Sequence, residues 1–499
     1  MAIATVLIYF IIILSTLAVY FVKKRLNYWK DQGIPHDEPS LLTGNFQGLM
    51  TKRSVADCTR EVYEKYKGSG PFCGFYFFQR PAALLLDMNL VKHVLIKDFS
   101  KFTDRGLFHN EKGDPLTGHL FLLDGAKWKN LRHKLSPTFT SGKMKFMYPI
   151  ITDVAENFVQ VFAEMSEKSN IVEIKELLAR FTTDIIGRCA FGIECNSLRD
   201  PNAEFRIMGR RSMTERRHGN FLNGFIQGFP SLARKLNMAM VKDEFTEFFI
   251  RIVRETVAYR EQNNIKANDF LSILMELRDG EGKENKISMT LEEMAAQSFV
   301  FFLGGFETSS STMGFSLYEL AVHSDIQQKL REEINEVFDG EGKTTYEAIH
   351  DLPYLGKVIS ETLRKYPILP HLNRQALVDY VVPGHPKYVI KKGMPVVIPA
   401  FAMHRDPEIY PEPEKFDPER FDEDKVKQRE TVEFLAFGDG PRNCIGMRFG
   451  LMQSRVGLAY LLRHFKFSVC EETKVPLVLD KRSFVLSSKD GIFLKVEKV

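Results

Sequence analysis

The sequence predicts a mainly α-helical protein with a minor β region, carried on an N-terminal transmembrane helix. Three observations lead there. Residues 3–22 form an apolar run broken only by Thr5, Ser15 and Thr16. Residues 148–266 are largely helical in pattern, with breaks at Gly187, Pro201 and around residues 224–230. Strand signals are confined to residues 72–86 near the N-terminus and 381–398 near the C-terminus. No Pro/Gly/Ser-rich or charge-run linker divides the 499 residues, so residues 26–499 read as one domain behind an anchor of residues 1–25.

Composition narrows the classes. A hydrophobic content of 44% with 41 Phe supplies a large core, and 26% charged residues suits an ordinary globular surface. A net charge of +4 with no basic tail argues against a nucleic-acid partner. The six cysteines are scattered, with no C-x-x-C and no zinc-ligand spacing, which fits a reducing compartment; a Cys189–Cys195 disulfide stays open as an alternative.

Taken in order, residues 3–22 are long enough at ~1.5 Å per residue to span ~30 Å of hydrocarbon. Lys23, Lys24 and Arg25 follow at once, and by the positive-inside rule they hold the rest of the chain on the cytoplasmic side. A cleaved signal peptide is the competing reading, but the run is too long and lacks a basic n-region and a small-residue cleavage site. Tyr28 and Trp29 suit the membrane interface just beyond. Residues 33–45, GIPHDEPSLLTGN, are turn-rich because Pro35 and Pro39 bias the residues before them away from helix, so the segment reads as a hinge.

Residues 54–67 have helical periodicity, and 72–78 and 82–86 read as strands joined around Pro81. A Gly-rich polar stretch runs from Phe102 through Arg105 to about Gly118; a loop this long inside a domain is often functional. Trp128 and Arg132, four apart in WKNLR, share a helical face and offer an indole N–H and a guanidinium together, although an amphipathic surface helix gives the same pattern. Pro137 ends that helix. Lys127, Lys129 and Lys134 make a basic patch that suits either an acidic partner or solvent. Residues 221–241 are apolar and Met-bearing, compatible with pocket lining, a membrane-facing lid or plain core packing.

Thr290 and Glu293 form a capping box that opens a helix to about His323, roughly 50 Å long and apolar nearly all round before Gly304. GGFETSSS then interrupts it. Adjacent glycines in a helix interior cost ~1 kcal/mol each, so a packing or functional reason is expected, and a flat ligand against the helix is one. Glu307 and Thr308 bring polar groups into an apolar helix, where a hydroxyl bonding back to a carbonyl can also simply bend it. Glu361 and Arg364 stand one turn apart, and PERF follows at residues 418–421.

The densest chemistry lies in FGDGPRNCIG, residues 437–446. Gly438, Gly440 and Gly446 allow close approach of a bulky group, and Pro441 fixes one φ. A helix beginning near Ile445 would aim its positive end at Cys444, and both effects lower a thiol pKa. Arg442 could pair with a carboxylate on the same ligand. A buried structural cysteine is the alternative for any lone Cys.

The spacing F-x-x-G-x-R-x-C-x-G, met by Phe437, Gly440, Arg442, Cys444 and Gly446, resembles the haem-binding loop of the cytochrome P450 family. GGFET resembles that family's oxygen-activating motif, Glu361-x-x-Arg364 its E-x-x-R element and PERF its P-E-R-F element. The motifs occur in family order across essentially the whole chain. The resemblance implies the P450 fold, with the long central helix over haem b (iron protoporphyrin IX). It implies Cys444 as axial ligand of the haem iron, with Phe437 and Gly438 in the loop that cradles the cofactor. Arg105, Trp128, Arg132, Arg374 and Arg442 would hold the propionates, and Glu307 and Thr308 would deliver protons to dioxygen at the haem. Glu361, Arg364 and Arg420 would form a structural network beneath the loop.

The family's activity is insertion of one oxygen atom from O2 into lipophilic molecules. Electrons come from NADPH through NADPH-cytochrome P450 reductase, with cytochrome b5 as a further donor, at the cytoplasmic face of the endoplasmic reticulum membrane. Phrases such as SPTFTSGKMKFM look like the insect microsomal branch that oxidises xenobiotics such as plant toxins and insecticides, or endogenous hormones and lipids. The segment at 33–45 is thinner in proline than in many membrane-bound relatives. Two rival readings are a haem-thiolate isomerase or dehydratase, against which the Glu307–Thr308 pair weighs, and a non-enzymatic haem or lipophile-binding protein.

Overall fold

α1 (Ala2–Leu26) stands away from the remainder of the chain in the computed structural model, which describes residues 2–267, 269–279, 289–338 and 342–499. It is the one described helix long and apolar enough to cross a membrane, and none of its apolar window is packed against protein. The rest is mainly helical with small sheets, as the periodicity predicts.

The junction below α1 differs from the expected hinge. Trp29 is buried in protein and not offered to lipid: it is 1% exposed, packed over Gly74, with its indole Nε1–H donating to the Phe75 carbonyl at 3.2 Å. Next to it Gly74 N–H donates to the Pro35 carbonyl at 2.8 Å, so the proline segment docks on a strand instead of swinging free. A buried indole needs an acceptor, and the strand edge supplies one.

That strand, β1 (Phe72–Phe77), pairs antiparallel with β2 (Arg80–Leu85). The turn falls at Phe78 and Gln79, with Phe78 at φ 54°, and Pro81 lies inside β2 opposite Tyr76 instead of in the turn. The sheet continues through β3 (Leu372–Gln375) and β4 (Pro395–Ile398) in the order β1-β2-β4-β3, β2 and β4 being parallel. Arg374 sits in β3 opposite Val396. A bridge from Gln375 N–H to the Asp104 carbonyl, 2.7 Å, brings the neighbouring Arg105 to the same edge.

Five helices frame the space beside this sheet. α2 (Gly125–Leu135) carries Trp128 and Arg132 and gives way to a 3-10 turn containing Pro137, as expected. α3 (Ile174–Ile186) is capped by Glu173, whose carboxylate accepts from Lys175 N and Glu176 N. The chain turns π-helical at Gly187, but Gly224 lies inside a helix, Asn220–Gly228. α4 (Leu291–Val322) starts with the predicted capping box and is buried almost throughout from Met294. α5 (Pro353–Lys365) opens with its N–H groups donating to Glu333, and α6 (Met447–His464) begins two residues later than Ile445.

The two glycines of α4 have different reasons. A Cβ on Gly305 would lie 2.3 Å from Ile186 Cδ1, so this glycine lets α3 pack closely; a Cβ on Gly304 would meet nothing within 4 Å. Buried Gln453 of α6 also donates to the Gly305 carbonyl at 2.9 Å. All six cysteines are free, Cys189 and Cys195 included.

Candidate active site

A cavity of about 1270 Å³ lies between α4, the 437–446 turn, β3 and α2, and most of the residues singled out in the sequence line it. Gly304, Glu307 and Thr308 face it from α4, and Phe437, Gly438, Arg442 and Cys444 from the turn. Arg105, Trp128, Arg132 and Arg374 complete the set. Its apolar surface comes from residues such as Phe301, Leu303, Ile368, Leu372 and Val485.

The turn is rigid for reasons legible in its residues. Gly440 has φ +70°, and a Cβ there would lie 1.9 Å from the Leu95 carbonyl oxygen, so only glycine fits. Cys444 N–H donates to the Phe437 carbonyl at 2.8 Å, closing the loop on itself. The Cys444 side chain is uncovered and lines the cavity, deep in the protein. Burial therefore pushes its thiol pKa up, against the lowering expected from the sequence; the Gly446 N–H and the Arg132 and Arg105 cations pull the other way. Desolvation of a bare thiolate outweighs the helix terminus, and a metal cation at the sulfur would reverse that balance.

Four arginines converge with little to neutralise them. Arg442 donates to the Leu123 carbonyl at 2.6 Å, lies 4.1 Å over the Trp128 ring and is 3.8 Å from Asp124. Arg132 donates to the Asn443 carbonyl and side-chain oxygen at 2.9 and 2.8 Å. Arg105 donates to the Phe121 and Arg442 carbonyls, and Arg374 to the Asn373 carbonyl. Burial, with neighbouring guanidiniums, pushes Arg105 well below its ordinary pKa, Arg374 down to about 9 and Arg442 down to about 10. Arg374 Nε and Arg442 Nε and Nη1 are buried without acceptors. An anionic group with two carboxylates fits this set, since it would satisfy orphaned donors and offset the crowded positive charge. The open face of Gly304 and the uncovered sulfur of Cys444 leave room for a flat ring between them. These residues fit haem.

Glu307 and Thr308 are adjacent in sequence but have separate partners. The Thr308 hydroxyl donates to the Gly304 carbonyl one turn back. Glu307 Oε1 lies 2.8 Å from Lys175 Nζ, and Lys175 also donates to Ser487. Neither Lys175 nor residues 480–491, which close one wall of the cavity, was anticipated; a lone lysine in a helix and a polar tail carry no motif. His119 and His371, buried in the lining, were missed too; burial pushes their pKa values down to about 3 and about 4, so both are neutral.

Behind the turn, Arg364 and Glu361, both fully buried, form a bidentate pair at 2.7 and 2.8 Å. Arg420 Nε stands 3.5 Å from Glu361, and Asp417 N–H donates to the same carboxylate at 3.0 Å. Arg364 also donates to the His404 carbonyl. His404 Nε2 accepts from Leu435 N–H at 2.8 Å while Nδ1 faces the Arg364 carbonyl at 3.1 Å, which fixes the neutral Nδ1–H tautomer. The network thus reaches the backbone two residues before Phe437.

The sequence model of the cytochrome P450 family matches residues 35–495. Over 504 aligned residues the chain is 55% identical to Cytochrome P450 6a9 of Drosophila melanogaster, with all of both chains covered. It is 53% identical to Cytochrome P450 6a2 of the same species, covering 99% of this chain and 100% of the other. With Cytochrome P450 6A1 of Musca domestica the identity is 51%, over 99% of this chain and 98% of the relative.

Proposed function

The chain belongs to the cytochrome P450 family and is a haem monooxygenase; from that premise we propose that it is anchored by residues 1–25 in the endoplasmic reticulum membrane. Residues 26–499 then form the haem-binding domain on the cytoplasmic face. It takes electrons from NADPH through NADPH-cytochrome P450 reductase, with cytochrome b5 as a further donor. Its substrates are lipophilic small molecules, either xenobiotics or endogenous hormones and lipids. The observation that carries the reading is the one cavity shared by the Cys444 sulfur, four arginines and the Gly304–Thr308 segment of α4.

Haem bound there supplies dioxygen activation and the redox chemistry of oxygen insertion. Cys444 would give its sulfur to the haem iron, and Phe437 and Gly438 would shape the loop around it. Arg105, Arg132, Arg374 and Arg442 would hold the propionates, and Trp128 backs Arg442 as an aromatic plate. Thr308, its hydroxyl hydrogen engaged with the Gly304 carbonyl, presents its oxygen lone pairs to the cavity and orders a proton donor there. Glu307 is the inner end of a proton path whose outer partner is Lys175. The apolar lining takes the substrate and excludes bulk water from the reacting atoms.

The test is turnover. Full-length protein with reductase, NADPH and a panel of lipophilic compounds should consume oxygen and yield hydroxylated, epoxidised or dealkylated products. Absence of product across the panel from fully haem-loaded protein overturns the substrate class.

A further inference from the structure

Where α1 meets the domain, a second cavity of about 460 Å³ is lined by Arg25, Arg80 and Arg234 together with Phe229, Pro230 and Leu232. Three separate elements bring the arginines together: the last turn of α1, the first residue of β2 and the short helix Pro230–Lys235. Among the described residues, no carboxylate forms an ion pair with any of them. Arg80 Nη2 donates to the Gly393 carbonyl at 2.8 Å, which leaves further N–H groups for another acceptor. Arg25 lies 5.1 Å over the Phe229 ring. Arg234 reaches only the His109 ring, Nη1 to Nε2 at 3.4 Å.

The one acidic side chain in the lining, Asp124, is already engaged. It lies 3.6 Å from His109 and 3.8 Å from Arg442. Asp124 and Glu111 raise His109 to about 8, so at neutral pH its ring is mostly protonated and offers Arg234 no acceptor. Burial, and after it the neighbouring Arg25, push Arg80 down to about 10. Such a cluster is stabilised by an anion that accepts several N–H bonds at once, and a phosphate does so.

The surroundings say where that phosphate comes from. Arg25 ends the apolar run of α1, which sets the cavity at the level of lipid headgroups. Leu232 of the lining is 45% exposed, and Phe221 and Leu236 nearby in the chain are 82% and 60% exposed, apolar surface that water does not favour. We propose that the Arg25–Arg80–Arg234 cavity binds the phosphate-bearing headgroup of an anionic lipid, whose acyl chains run along α1 and past Leu232. The proposal rests on α1 being a membrane anchor. The cytoplasmic leaflet, rich in anionic lipid, is the source that the positive flank of α1 selects.

The experiment uses full-length, haem-loaded protein in nanodiscs of phosphatidylcholine, alone or mixed with phosphatidic acid, followed by native mass spectrometry of lipid retained after gentle extraction. Failure to enter neutral discs at all would fault the anchor itself and so separate that premise from the site. Wild-type protein should retain phosphatidic acid in preference to phosphatidylcholine. R80Q/R234Q should lower that retention about tenfold, the factor equivalent to ~1.4 kcal/mol of lost charge-assisted bonding. R234Q alone, at an exposed side chain, keeps the test decisive if Arg80→Gln reduces folding as read by the carbon monoxide spectrum. Addition of inorganic phosphate distinguishes the sources: no displacement of the lipid supports the headgroup, and displacement at comparable concentration overturns it in favour of a soluble phosphate. Equal retention by wild type and both variants, or no preference for phosphatidic acid, overturns the site.

Discussion

Lys175 Nζ lies 2.8 Å from Oε1 of Glu307, so the acidic residue of the oxygen-side motif is held by a cation from α3 and not by the threonine beside it. Both side chains are mostly buried, 18% and 16% exposed, which makes the pair less screened than a surface bridge. K175M and E307Q should each reduce product formed per NADPH consumed several-fold while preserving the carbon monoxide spectrum. The double variant should be little worse than either single one, because residues acting as a unit are non-additive. Additive losses would show that Lys175 and Glu307 act independently.

Thr308→Ala removes the hydroxyl that donates to the Gly304 carbonyl and leaves Cys444 and the four arginines of the cavity unchanged. Product formation should fall by roughly tenfold or more, as for loss of a positioned proton-transfer group, with reducing equivalents appearing as hydrogen peroxide. Unchanged coupling of NADPH to product would remove Thr308 from the proton path.

Cys444→Ala should abolish the thiolate-type carbon monoxide difference spectrum and all turnover. Survival of that spectrum would move the iron ligand elsewhere, since no other cysteine lines the cavity.

Glu361→Ala leaves the fully buried Arg364 and its neighbour Arg420 without their shared carboxylate. Breaking a buried charge pair costs ~3–5 kcal/mol, so the variant should lose most of its haem on purification and unfold at lower temperature. Activity per bound haem in the residual holoenzyme should change far less. A variant with normal haem content and low activity per haem would instead place Glu361 in turnover.

His404 is pushed down to about 3 by burial, with Arg364 adding to the effect. Its folded pKa is therefore below the ordinary value of ~6.5 in the unfolded chain. Between those values the unfolded state binds the extra proton, so its contribution to stability is intact above ~6.5 and is lost as pH falls towards about 3. H404N should flatten the acid dependence of unfolding and haem release. It should also loosen the turn, because Leu435 N–H loses its acceptor. An unaltered pH slope would assign the acid lability to other groups.

The sequence by itself determined the long apolar N-terminal helix, the helix-rich fold with its minor sheets, and the motif residues that meet in the cavity, from Gly304–Thr308 to Cys444. These are local matters. An apolar run of fixed length, a capping box at Thr290 and a glycine-bounded cysteine each carry their signal within a few residues. Tertiary structure decided which groups meet. Trp29 is buried because β1 offers a carbonyl to its indole, whatever its position beside α1 suggests. Gly305 answers to Ile186 and Gly304 to the cavity, though the two are identical and adjacent. Lys175 reaches Glu307, and His404 reaches Leu435, across distances in the chain that no periodicity spans. The bare Cys444 thiol follows the same rule: desolvation, which raises its pKa, is set by all the protein packed around it, whereas a helix terminus is visible in the residues that follow it.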